Sequence, residues 1–300
     1  MTDDNLPVIQ VRDLSQRYGS GRLIYEGLSF DVPKGRILGL LGKNGTGKTT
    51  TINILMGYLK PQAGECRIFG EDITSIAPAT RARIALLIEG HVQYTFMTIE
   101  QIERFYAKFY PKWNKDAYYE LMAKLHVSPK QKISTMSCGQ RSQVALGLIL
   151  AQNADLLVLD DFSLGLDPGY RRLFVDYMRE YAKAEDKTVF MTSHIIQDLE
   201  RLVDDCIILD YGKILTHMPV NQLLDTFSRY TLHTDAAPSA LSSVPGVYNA
   251  SKIKDEIEFF SFDDKDSIVG QLNAKGVNPM GLKTEKLSLE DAFIGLTGKY

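Results

Sequence analysis

The sequence predicts an α/β fold in which helices flank a mainly parallel sheet, followed by a small α+β domain. Three observations predict it. Apolar runs of strand length alternate with helix-patterned segments over the first two thirds of the 300 residues. A glycine-rich loop joins one of these runs directly to a helix pattern. After about residue 218 the texture changes to short strand patterns and two helical ones.

Composition sets the frame. The chain is 44% hydrophobic and 24% charged, as globular proteins are. A formal net charge of -3 provides no positive field to hold nucleic acid, so no nucleic-acid partner is expected. Cys66, Cys138 and Cys206 lie far apart without a CxxC pair. Neither a disulfide framework nor a zinc site is expected, and a reducing cytosol fits. The opening "MTDDNLPVIQ" is acidic and lacks an apolar core, so no secretion signal is expected. No run reaches the roughly 18 apolar residues of a membrane span, so a membrane role would require a separate membrane partner.

The elements follow in order. "VIQVRDL" (8–14) reads as a strand, and "LSFDV" (28–32) alternates as a half-buried strand does. "RILGLL" (36–41) is continuously apolar, the pattern of a strand covered on both faces. "TTTINILMGYL" follows as a helix. "IALLI" (84–88), "LLVLD" (156–160), "TVFMTS" (188–193) and "CIILD" (206–210) are further buried strands. Residues 92–152 read as a helical insertion. Thr98 and Gln101 have capping-box spacing ahead of "IERFYAKFY", and Pro111 is expected to end that helix. The domains are expected at 1–218 and 219–300, with a linker near "THMPVNQ". In the second domain "YTLHTD", "VYNASK" and "IEFFSF" read as strands, "KDSIVGQLNAKG" and "SLEDAFIGLTG" as helices.

Between "RILGLL" and its helix lies "GKNGTGKT", a gapless match to G-x-x-x-x-G-K-[ST]. Gly42, Gly45 and Gly47 let the backbone curl so that N–H groups point inward at phosphate oxygens. Lys43, Asn44 and Thr46 complete the loop, and Thr50 follows on the helix, whose N-terminus adds positive potential. Lys48 reaches the β- and γ-phosphates, and the Thr49 hydroxyl is placed for Mg²⁺. The alternative, a glycine turn that happens to carry a lysine, does not explain the position between buried strand and helix.

A P-loop alone fits kinases, GTPases, helicases and transport ATPases. The stretch "MSCGQRSQVALGLILAQNADLLVLDDFSLGLDP" (136–168) decides among them. It resembles the signature sequence and Walker B region of the ATP-binding cassette (ABC) ATPases. Independently of the family, Ser137 and Gln140 have capping-box spacing, so a helix begins there whose N-terminus suits a γ-phosphate; alone, "SCGQ" reads as an ordinary capped helix, and its place about 20 residues before the Walker B strand points to the phosphate. The resemblance covers about residues 8–215. It implies an antiparallel β subdomain, a helical subdomain and a head-to-tail dimer sandwiching two ATPs. It also implies roles by position. Ser137, Gly139 and Gln140 would meet the opposite subunit's nucleotide, and Asp167 would cross the interface from the D-loop. Tyr18 would stack on adenine, where otherwise it reads as a half-exposed strand tyrosine. Asp160 would hold Mg²⁺ through water. His194 would contact the γ-phosphate, where a lone histidine would more often cap a helix.

Three positions depart from the family pattern. Asp161 replaces the glutamate that acts as general base, and its carboxylate stops about 1.5 Å short of a glutamate's. Slow but real hydrolysis is expected. Glu89 stands where the Q-loop glutamine should follow "IALLI", keeping an oxygen for Mg²⁺ while adding charge; Gln93 is the weaker candidate. Cys138 replaces the first signature glycine, read as a small residue that fits. Phe162, in Asp161-Phe162-Ser163, is read as local packing.

The tail "LSLEDAFIGLTGKY" (287–300) resembles the end of ATPases serving exporters with separate permeases. Leu289, Ala292 and Phe293 have the spacing to pack this helix on the small domain. The expected function is an ATPase subunit on the cytoplasmic face of the membrane, driving a separate permease. The expected partner is a second copy, or another ABC cassette in a heterodimer. A non-transport ABC ATPase is disfavoured by the single cassette, the lack of a heptad run and the net negative charge.

Overall fold

A computed structural model describes residues 6–19, 21, 23–88, 94–162, 166–234 and 237–298. The chain divides into two units, Met1–Ile214 and Leu215–Tyr300. The first runs β1 (Ile9–Arg17), β2 (Leu23–Val32), β3 (Ile37–Gly42), α1 (Lys48–Leu55), β4 (Ala63–Ile68), β5 (Glu71–Asp72), α2 (Pro78–Arg81) and β6 (Ile84–Leu87). It continues with α3 (Ile99–Tyr106), α4 (Lys115–Lys124), α5 (Cys138–Ala151), β7 (Leu156–Leu159), α6 (Pro168–Ala184), β8 (Thr188–Thr192), α7 (Ile196–Leu202) and β9 (Asp205–Asp210). Strand β10 (Lys213–Pro219) spans the division.

Among the described residues, one sheet has the order β10-β9-β3-β8-β7-β6, and β9, β3, β8, β7 and β6 pair in parallel. Its central strands are buried along nearly their whole length, which is why they read as unbroken apolar runs. A second sheet, β2-β1-β4-β5, is antiparallel. Phe30 of β2 stacks on Phe190 of β8 at 5.8 Å, so the two sheets share a core. The register sets Leu40 of β3 beside Thr192 of β8, and Leu159 of β7 beside Met191. The loops leaving β3, β7 and β8 therefore emerge together at the carboxyl edge, where open α/β sheets bind ligands.

In the helical segment Thr98 caps α3 through a reciprocal box with Gln101, as its spacing predicted. Pro111 does not end that helix. Helix α3 ends at Tyr106, with a last i→i−4 bond from the Ala107 N–H to the Glu103 carbonyl, and turns connect it to α4. Helices α4 and α5 approach closely at Gly147, where a Cβ would stand 3.0 Å from the Tyr118 ring.

The stretch expected as a linker is not irregular: residues 216–222 form the end of β10 and the start of α8 (Val220–Thr226). Proline at the junction suits both elements, ending the strand and preceding the first helical residue. The second unit continues with β11 (Ser228–His233), α9 (Pro238–Ser242), β12 (Tyr248–Ile253), β13 (Glu256–Ser261), α10 (Lys265–Ala274), β14 (Lys283–Glu285) and α11 (Leu289–Thr297). Its antiparallel sheet has the order β12-β13-β11-β14. Tyr230, Leu232, Ile257, Phe259, Ile268 and Leu272 form its core. Ser288 and Asp291 cap α11 reciprocally, and Leu289, Ala292 and Phe293 are buried as their spacing implied. Arg229 reaches Asp291 at 2.5 Å and Glu258 at 3.3 Å, tying this helix cap to the sheet.

Candidate active site

Gly42 to Thr49 connect β3 to α1 as a curled loop. Gly45 (φ 78°) and Gly47 (φ 100°) lie in the left-handed region that favours glycine. At Gly47 the requirement is also steric, because a Cβ would come within 2.6 Å of the buried Tyr25 ring. Tyr25 thus supports the loop from below, a role the sequence did not announce. Thr46 donates to the Lys43 carbonyl at 2.8 Å and braces the curl. Lys48 folds back onto the loop, donating to the carbonyls of Gly42 (2.7 Å) and Lys43 (3.2 Å). Burial pushes its ammonium below the ordinary lysine pKa, opposed by Asp161 and then Asp160. A buried cation whose hydrogen bonds go to carbonyl oxygens is a good receptor for a phosphate.

The two aspartates at the end of β7 face this loop. Asp160 Oδ1 accepts from Thr192 at 2.7 Å and from Thr49 at 3.4 Å. Asp161 is buried, and its φ of 46° is unusual for a non-glycine residue. Its Oδ1 accepts from the His194 backbone N–H at 3.1 Å. Its Oδ2 lies 3.2 Å from His194 Nε2, outside hydrogen-bond alignment, so that oxygen remains unbonded. His194 does not cap α7; Ile195 occupies that position. Asn44, Gly45, Gly47, Lys48, Thr49, Thr50, Asp160, Asp161, Thr192, Ser193 and His194 line one cavity of about 190 Å³. Sequence reasoning missed Thr192 and Ser193; the available signal was two hydroxyls directly before His194.

Tyr18 follows β1, half exposed, with its hydroxyl 3.2 Å from Thr50 Oγ1. Ser137 and Gln140 form the capping box of α5. Gly139 is buried there, and a Cβ on it would lie 2.3 Å from the Tyr170 ring. Asp167 caps α6, accepting from Gly169 and Tyr170. Ser137, Gly139, Gln140 and Asp167 do not line the cavity. Phe162 is buried against Phe174 at 4.7 Å, the packing expected of it. Glu89, Gln93 and Ser163 lie outside the described residues. Cys138 is exposed, whereas burial pushes the Cys66 and Cys206 thiols up to about 12.

Comparison with known proteins identifies the family. A family model described as ABC transporter matches residues 25–163. The bacitracin transport ATP-binding protein BcrA of Bacillus licheniformis is 32% identical over 225 residues, covering 74% of this chain and 73% of BcrA. This chain belongs to the ABC transporter ATP-binding family. The Nod factor export ATP-binding protein I of Cupriavidus metallidurans is 25% identical over 303 residues, covering 97% of this chain and 98% of that protein. Among solved structures, an ATP-binding subunit of an ABC transporter aligns with a TM-score of 0.64 at 26% identity, covering 73% of this chain and 92% of that one. The chain is accordingly an ATP-binding subunit of an ABC transporter, and an ATPase. No helix among its described residues is long and apolar enough to cross a membrane.

Proposed function

We propose that two copies of this chain close head to tail on two Mg·ATP molecules and drive a separate membrane permease in the export direction. One observation carries the dimer. The phosphate loop, Asp160, Asp161 and His194 line a single cavity, while the capped N-terminus of α5 and Asp167 lie outside it. Ser137 and Asp167 are exposed, available to a second copy. In that arrangement Ser137, Gly139 and Gln140 complete the partner's γ-phosphate site. Gly139 lets α5 and Tyr170 pack closely enough to shape that surface.

The donor set fits Mg²⁺. Thr49 Oγ1 and Asp160 supply hard oxygens 3.4 Å apart, and Mg²⁺ takes few protein ligands when phosphates and waters fill the rest. Held by Thr49 and Asp160, Mg²⁺ would supply positive charge to offset that of the phosphates. Lys48 exchanges the carbonyls of Gly42 and Lys43 for phosphate oxygens. Tyr18 stacks on the base. Asp161 accepts a proton from the attacking water, and His194, beside it, meets the γ-phosphate. Glu89, which follows β6 in sequence, would offer a further oxygen to the metal.

The permease contact is proposed beside residues 89–93. Tyr94, Phe96, Phe105 and Phe109 form an edge-to-face series there, with Phe96 69% and Phe109 62% exposed. An exposed aromatic patch of this kind suits burial against a partner helix. The near full-length similarity to Nod factor export proteins supports export. Asp161 also supports a second reading, a weakly hydrolysing cassette paired with a different one. Light scattering of Asp161→Asn tests the dimer. Addition of ATP should double its mass, and Ser137→Arg should abolish the doubling. An ATP-loaded monomer at high protein concentration would contradict the homodimer.

A further inference from the structure

We infer that Thr192 is a positioning residue for both aspartates: its single hydroxyl fixes the Asp160 carboxylate and the Asp161 backbone together. The inference rests on the proposed roles of Asp160 and Asp161. Thr192 is buried at the end of β8. Its Oγ1 accepts from the Asp161 N–H at 3.0 Å and lies 2.7 Å from Asp160 Oδ1. The proton order is forced. A backbone N–H can only donate, and an ionised carboxylate can only accept, so the hydroxyl receives from one aspartate and donates to the next.

The two bonds do different things. The bond to Asp160 turns the carboxylate that also accepts from Thr49 of the phosphate loop. The bond from Asp161 N–H anchors a peptide whose φ of 46° lies in the left-handed region, which aspartate enters more readily than most residues but still at some cost. Such a conformation persists only where its surroundings hold it. A short carboxylate has little reach with which to correct a backbone shift, so the anchor matters more for Asp161 than it would for glutamate. The same β8 end carries Ser193 and His194, whose N–H binds Asp161 Oδ1. Strand β8 thus holds Asp161 at two points, its backbone through Thr192 and its side chain through His194.

Thr192→Val keeps the shape and removes both bonds; Thr192→Ser keeps the hydroxyl. In the full-length protein, Thr192→Val should lower kcat by about tenfold to a hundredfold, the cost of misplacing a reacting group by about 1 Å. The Kd for a nonhydrolysable ATP analogue, measured without Mg²⁺, should stay within about threefold, because Thr192 makes none of the Lys48 bonds to the loop. Thr192→Ser should recover kcat to within about threefold of wild type. Because part of its effect runs through Asp161, Thr192→Val added to Asp161→Asn should cost distinctly less than it costs alone, the remainder reporting the bond to Asp160. A merely structural role would weaken analogue binding along with turnover, and Thr192→Ser would then be as impaired as Thr192→Val. That pattern overturns the inference. So does a Thr192→Val enzyme at the wild-type rate while Asp161→Asn is inactive, which leaves the role of Asp161 intact. Wild-type turnover by Asp161→Asn would instead overturn the role of Asp161, and this inference with it.

Discussion

Asp161→Glu restores the missing methylene and tests whether reach limits the reaction. The added bond carries the carboxylate about 1.5 Å further from the backbone. It would move off the His194 N–H, now 3.1 Å from Oδ1, and into the cavity of about 190 Å³ between the phosphate loop and β8. If a 1 Å error costs on the order of a hundredfold, correcting it lowers the barrier by about 2.7 kcal/mol. The lost bond to His194 costs about 1 kcal/mol of stability, a fall in Tm of about 2–4 °C for a unit of this size. Single-turnover hydrolysis, with enzyme in excess over ATP, isolates the chemical step. The expected result is a rate ten to a hundred times that of wild type, with a slightly lower Tm. A rate equal to or below wild type would refute the reasoning. It would mean that the left-handed backbone at Asp161 already brings the short carboxylate to the water.

Four further outcomes follow from individual contacts. Lys48→Met should abolish measurable ATP binding by calorimetry, since it removes the buried ammonium proposed to meet the phosphates. The titration of Lys48 has a definite sign. Burial lowers its native pKa, so between that value and the unfolded 10.5 the unfolded state binds more protons, and apo stability rises with pH across the window. ATP favours the charged form, so binding in that window should take up protons, seen as a buffer-dependent enthalpy. Gly139→Ala should cost about 1–3 kcal/mol in denaturant unfolding, because its Cβ would sit 2.3 Å from the Tyr170 ring. Ser288→Ala should cost about 1 kcal/mol through loss of the α11 cap.

The features legible in the sequence are those whose cause is local. The phosphate loop is a spacing rule, and β3, β7 and β8 are buried on both faces, so neighbouring residues alone declare them. The boxes at Thr98 and Ser137 depend on residues three apart. Strand β4 was not legible because its "AGECRI" is largely exposed and its pairing with β1 is non-local. Residues 216–222 read as a linker because proline and polar residues hide a half-exposed strand. At the site, Asp161 and His194 are 33 residues apart and meet only because β7 and β8 are neighbours. Thr192 reads as an ordinary β-branched strand residue until that pairing sets its hydroxyl between the two aspartates. Gly139 is read as part of a helix N-terminus that meets a partner's nucleotide, yet its visible constraint is a tyrosine ring from α6.

The central claim, a homodimer whose short carboxylate catalyses, is tested most directly by steady-state ATP hydrolysis across a range of protein concentrations, with Asp161→Asn alongside. A rate per chain that climbs with concentration, and is lost in the variant, is the expected result. A rate no higher than that of Asp161→Asn, despite tight ATP binding, would contradict self-sufficient catalysis and point to a second cassette as the hydrolysing partner.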